Sequence, residues 1–241
     1  MMAPPTIHGH GGKLVCLYDC GPSDPVYGGV FLPGLLCALV YGLALAGRSP
    51  SWPRTVIKTI PVAALAICAV LLRAPLLLTV GLAFCAVGDA FLSRDPQKWL
   101  PWGLVAFLLG HAAYIALFVQ FTDPMHVDGP PQFVAWSLVA VAAFALLAFV
   151  WKHTGPLRPA VVLYAVVIAV MVGASFRLTP YEWPAMAGAV AFMASDAILA
   201  ISLFRGEVLF GSTRLTNWAV WFLYFGAQLA IWRTAVISGL M

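Results

Sequence analysis

Charge is what this chain has least of. Lys and Arg number 13 and Asp and Glu 9 in 241 residues, 9% of the whole, against 62% hydrophobic residues and a mean hydropathy of +0.94. Soluble globular domains carry roughly 25% charged residues, so that class is excluded. The formal net charge of +4 comes from basic residues in short loops between apolar runs, which excludes a nucleic-acid partner and leaves membrane topology as their message. Cysteine is also sparse. Cys16 and Cys20 lie near the N-terminus and Cys37, Cys68 and Cys85 in apolar runs, so no disulfide framework is implied. The alternating segments of about ten residues that mark a membrane barrel are missing. Residues 1–25 lack the basic and apolar regions of a signal peptide. Their His8, His10, Cys16 and Cys20 fit no zinc spacing. The stretch reads as a disordered tail, with no metal assigned.

What the sequence does have is length in its apolar runs. Eight of them follow the tail, at 27–47, 55–72, 75–92, 99–121, 132–151, 158–176, 184–203 and 215–237. Most come close to the roughly 20 residues a membrane-crossing helix needs. The expected fold class is therefore all-α, a polytopic helical bundle of eight transmembrane helices over residues 26–241. Prolines such as Pro53, Pro75, Pro96, Pro130 and Pro184 punctuate the short loops. The loops after odd-numbered spans, with residues just inside them, carry nine basic residues: Arg48, Arg54, Lys58, Arg94, Lys98, Lys152, Arg158, Arg205 and Arg214. Four lie on the other side: Lys13, Arg73, Arg177 and Arg233. That bias predicts a multi-pass integral membrane protein with those loops in the cytoplasm and both termini opposite.

Two carboxyl groups break the apolar pattern. Asp89 lies in AFCAVGDAFLSR (83–94) and Asp196 in AFMASDAIL (191–199). A charged group inside a span is costly enough that it usually marks a functional site. The two segments are spans 3 and 7 and run in the same direction, and their likeness suggests a 4+4 parallel repeat. At 1.5 Å per residue, Asp89 lies about 7 Å and Asp196 about 13 Å from the cytoplasmic end. Lys58 enters span 2 from the same side at a depth of about 6 Å, and Tyr224 sits about 15 Å into span 8. His111 with Tyr114 (i, i+3) and Tyr224 with Gln228 (i, i+4) share helix faces. Polar atoms in hydrocarbon need partners, so these side chains are expected to meet Asp89 and Asp196 in one interior cavity. Each also has a structural reading. Tyr and Gln serve as interhelical glue, His bridges helices, and Lys58 at its shallow position can snorkel or contact a headgroup.

Five blocks in order, VIKTIPVAAL around Lys58, AVGDAFL around Asp89, FLLGHAAYIALF around His111, MASDAILA around Asp196 and YFGAQLAI around Tyr224, resemble the YhhN or lysoplasmalogenase family of eight-span membrane proteins. The resemblance covers about residues 30–235 and leaves the tail outside. It implies an ether hydrolase that cleaves the vinyl ether bond of lysoplasmalogens to a fatty aldehyde and a glycerophospho-alcohol, without a metal or other cofactor. The implied partner is a lysophospholipid from the bilayer. Vinyl ether hydrolysis needs a proton at the β-carbon and then water at the α-carbon. Two carboxyls can divide those tasks, as in glycoside hydrolysis, so Asp89 and Asp196 are the candidate catalytic pair. Which is acid and which is base is left open by the sequence. Lys58, His111, Tyr114, Tyr224 and Gln228 are candidate substrate-binding or pocket residues. Buried acids also suit a proton-coupled transporter, and a lipid-binding scaffold is a third reading. Release of aldehyde separates the first from the other two.

Overall fold

The computed structural model describes residues 26–122 and 128–238, and the expected tail at 1–25, with His8, His10, Cys16, Cys20 and Lys13, lies outside them. Eight long helices occupy the described residues, with no strand among them: α1 (Gly28–Leu45), α2 (Trp52–Leu71), α3 (Leu76–Leu92), α4 (Pro96–Phe121), α5 (Pro130–Val150), α6 (Arg158–Ser175), α7 (Trp183–Arg205) and α8 (Thr213–Ser238). All but α3 are long and apolar enough to cross a membrane. At 17 residues α3 measures about 25 Å against a hydrocarbon core of about 30 Å. The architecture is an all-α polytopic membrane bundle.

The boundaries follow from local chemistry. The Ser51 hydroxyl accepts from the Arg54 amide at 3.4 Å, and Pro53 in the first turn removes a donor that would have no helical partner. Gly206 closes α7 in the left-handed region, with φ of 67°, where a side chain would be strained. The chain departs from regular α geometry at both ends of α1, where π-type turns span Tyr27–Phe31 and Tyr41–Leu45.

The tightest packing joins α3 to α4 and α7 to α8, so each Asp-bearing helix lies against the helix that follows it. Small residues allow the approach. A Cβ at Gly81 would stand 2.5 Å from the Tyr114 ring, and one at Gly88 would stand 2.6 Å from Phe107. Single polar ties hold other pairs. The Trp221 indole donates to the Ala38 carbonyl at 2.9 Å, joining α8 to α1, and the Ser195 hydroxyl donates to the Val220 carbonyl at 2.8 Å, joining α7 to α8. Helix α5 stands apart. Only Ala143 and Val150 of its 21 residues are buried, and the outer face with Leu138, Val141 and Phe144 is exposed as a lipid-facing surface would be.

At the end of the bundle where α1, α3, α5 and α7 finish, guanidinium groups lie over aromatic rings. Arg94 is 4.0 Å from the Trp52 ring centroid, Arg158 is 4.6 Å from Trp151, and Arg214 is 4.5 Å from Trp218. Such pairs keep the charge at the water boundary while the ring stays in the apolar layer.

Candidate functional site

A cavity of about 180 Å³ lies toward that same end. All eight helices contribute to its wall, and Asp89, Asp196, Lys58 and Tyr224 all line it. The two acids reach it from different levels. Asp89 is three residues from the end of α3, about 4.5 Å, and Asp196 is nine from the end of α7, about 13 Å.

The carboxyl groups differ in their partners. Asp89, 1% exposed, receives a donor on each oxygen: Lys58 Nζ lies 3.0 Å from Oδ1, and the Tyr224 hydroxyl donates to Oδ2 at 2.6 Å. Lys58 comes from α2, Asp89 from α3 and Tyr224 from α8. Asp196 has no Lys or Arg partner among the described residues. The Tyr164 hydroxyl on α6 donates to its Oδ2 at 2.5 Å, and His111 Nε2 on α4 stands 3.9 Å from the same oxygen. Six helices are thereby tied to the two acids.

The other polar residues divide into two levels. Tyr224 and Lys58 are at the cavity, whereas His111, Tyr114 and Gln228 are fully buried and absent from its wall. Of the residues expected in one cavity, Lys58 and Tyr224 line it with the two acids, while His111, Tyr114 and Gln228 lie behind its wall. The Tyr114 hydroxyl donates to Gln228 Oε1 at 2.5 Å, forming a separate α4–α8 bridge beside Cys85. The physical reason lies in helix rise: i and i+4 share a face but differ by about 6 Å in height, so Tyr224 meets Asp89 while Gln228 meets Tyr114. His111 packs edge-on against Phe192 and Tyr164, with ring centroids 4.6 and 5.3 Å away. Neither of its nitrogens makes a well-formed hydrogen bond, and the same is true of Gln228 Nε2.

Tyr164 and Arg54 line the cavity with no mark in the sequence to single them out. A lone Tyr in an apolar run looks like an interfacial anchor, and nothing in its spacing marks Asp196 as its partner. Arg54 counts among loop charges by position, yet it lines the cavity. Its Nη1 donates to the Ser93 carbonyl at 2.6 Å and its Nη2 to the Tyr41 hydroxyl at 3.2 Å. No group of three or more His, Cys, Asp or Glu side chains suited to a metal occurs among the described residues.

Fold and site together define a polytopic helical membrane protein that brings two carboxyl groups, one ion-paired and one not, to a single largely apolar cavity. Comparison with known families places it further: the model of the YhhN family matches residues 53–235, and the chain belongs to that family. It is similar to lysoplasmalogenase TMEM86A of Bos taurus, 28% identical over an alignment of 215 residues, with 81% of this chain and 83% of the relative covered. It is likewise similar to a protein named lysoplasmalogenase from Mycobacterium bovis, 29% identical over an alignment of 211 residues, with 84% of this chain and 77% of the relative covered. No solved structure matches the chain.

Proposed function

We propose that this protein is a lysoplasmalogenase, an enzyme that hydrolyses the vinyl ether bond of lysoplasmalogens, with Asp196 as the acid and Asp89 as the base. The reading draws its substrate class from the relatives' names. Its assignment of roles rests on one observation, that Asp89 accepts a donor on each oxygen whereas Asp196 accepts one on Oδ2 alone. A carboxylate is acceptor-only, while a carboxylic acid must donate from one oxygen. Asp89 is thus the carboxylate, balanced by Lys58, and Asp196 keeps Oδ1 to carry a proton.

The steps balance on these two groups. Asp196 delivers its proton to the β-carbon of the vinyl ether, leaving an oxocarbenium ion that the Asp89 carboxylate stabilises across the cavity. Water adds to the α-carbon and gives a proton to Asp89, forming a hemiacetal. Asp89 then returns that proton to the departing glycerol oxygen while Asp196 takes the hemiacetal hydroxyl proton. Aldehyde and glycerophospho-alcohol leave, with both groups restored. Tyr164 and Tyr224 fix the carboxyl orientations, a condition for proton transfer. The charge bias supports a cytoplasmic position for this end of the bundle, with Arg54 facing the headgroup phosphate.

The test is product release. Purified protein in detergent, given a lysoplasmalogen, is expected to yield one fatty aldehyde per substrate consumed. A lysolipid with an ester in place of the vinyl ether should yield none. Absence of aldehyde from folded, stable protein overturns the reading. A proton flux across reconstituted vesicles, without aldehyde, would restore the transporter.

A further inference from the structure

A second hollow lies alongside the cavity, and its walls are of a different kind. It measures about 610 Å³ and runs between α4, α5 and α6. Ala143 and Leu147 of α5 and Ala165 of α6 border both hollows, so the two are separated by, or joined at, the same three apolar side chains. From Ala165 the groove continues along α6 past Ala169 to Gly173, eight residues or about 12 Å. Its polar groups are already engaged. The Trp136 indole donates to the Gly173 carbonyl at 2.9 Å, and at the far end Arg177 Nε lies 3.1 Å from Asp128 Oδ1. What remains to meet an occupant is mainly hydrocarbon.

We propose that this groove receives the alkenyl chain of the lysolipid whose vinyl ether sits at Asp89 and Asp196, and that Ala143, Leu147 and Ala165 frame the passage; the proposal rests on the lysoplasmalogenase reading above. The two hollows also divide by chemistry: Asp89, Asp196, Lys58 and Arg54 line the reactive cavity, whereas no carboxyl group among the described residues lines the groove, so the ether and headgroup suit the first and a hydrocarbon chain the second. The passage lies in the right place. Ala143 is seven residues from the end of α5, about 10 Å, between the levels of the two acids, and the groove leads from there away from the basic end of the bundle. A lysolipid with its headgroup at that end runs its chain in this direction. Helix α5 is held to the bundle by few buried side chains, and both of them, Ala143 and Val150, line the reactive cavity. Lipid tails are as apolar as the groove, so moving a chain from one to the other gains little affinity. The groove acts by placing the double bond, where an error of about 1 Å can cost on the order of 100-fold in rate.

The experiment uses a long-chain lysophospholipid bearing a diazirine at the chain terminus, photolysed with the detergent-solubilised protein and mapped by mass spectrometry. Labelling of groove residues such as Val166, Val170 and Ala140, displaced in saturable fashion by unlabelled long-chain lysoplasmalogen, is the expected result. Labelling spread over the outer faces of α1 and α8, or unaffected by competitor, means ordinary bilayer contact and overturns the proposal. A second arm follows turnover. Ala169→Phe, placed beyond the passage, should lower kcat/KM for long-chain substrate about ten- to a hundredfold and leave a short-chain analogue unchanged. Equal loss for both chain lengths overturns the chain-selecting role. If the unaltered protein releases no aldehyde but its groove is labelled saturably, the hydrolase reading fails while the lysolipid chain site stands.

Discussion

The asymmetry between Asp89 and Asp196 is set by single neighbours, so single substitutions should expose it. Asp89→Asn and Asp196→Asn each keep shape and hydrogen bonding but lose proton exchange, and each is expected to cut aldehyde release about 10²- to 10⁴-fold. Retention of substantial activity in both variants would end the two-carboxyl mechanism. Lys58 and Arg54 should separate kinetically. With Nζ 3.0 Å from Asp89, Lys58 is expected to act with the reacting groups under the proposed mechanism, and Lys58→Met should lower kcat with KM little changed. Among the described residues the Arg54 guanidinium donates to a backbone carbonyl and a Tyr hydroxyl and pairs with neither acid, and Arg54→Met should raise KM with the smaller effect on kcat, the signature of uniform binding. The opposite pattern would return the phosphate to Lys58. Sequence made the Lys58–Asp89 pairing readable in outline, because both residues lie near the same end of adjacent spans. Tyr164 stayed hidden, since helix rotation about its axis decides which of many apolar positions faces an acid.

Between helices, the fold depends on close approach more than on polar ties. Gly81 lets the Tyr114 ring lie against α3, and an added Cβ would stand 2.5 Å from it. Gly81→Ala is therefore expected to destabilise by about 1–3 kcal/mol, read as a lowered thermal midpoint in detergent. Tyr114→Phe tests the deeper level. It strips Gln228 Oε1 of its donor while Gln228 Nε2 already lacks an acceptor, a loss of about 1–3 kcal/mol. Because this bridge stands apart from the cavity, kcat measured on the folded fraction should hold. A fall in kcat at unchanged stability would place Tyr114 with the reacting groups. The helices themselves were plain in the sequence, each apolar run lying within a few residues of its helix. Period alone could not separate the two polar levels on α8: Tyr224 and Gln228 share a face, and only the heights of Asp89 and Tyr114 on the opposing helices assign each its partner.

For the whole molecule, the cavity position together with the charge bias yields a prediction about sidedness. The cavity is bordered by Gly47 at the end of α1, Arg54 at the start of α2 and Phe204 at the end of α7, all at the end where the nine basic residues gather. Positive residues are retained on the cytoplasmic side, so the headgroup of a substrate should be presented from the cytoplasmic leaflet. Two exposed positions test this without touching the site. Ser49 lies in the α1–α2 loop and Tyr181, 92% exposed, in the α6–α7 loop at the opposite end. On a background free of the five native cysteines, Ser49→Cys should react with a membrane-impermeant maleimide in inside-out vesicles, and Tyr181→Cys in right-side-out vesicles. Turnover adds a second readout from the same preparations: lysoplasmalogen supplied to the outer surface of inside-out vesicles should be hydrolysed at once, and in right-side-out vesicles only after it crosses the bilayer. Labelling with the reverse pattern would invert the topology and, with it, the leaflet from which the chain enters between α5 and α6.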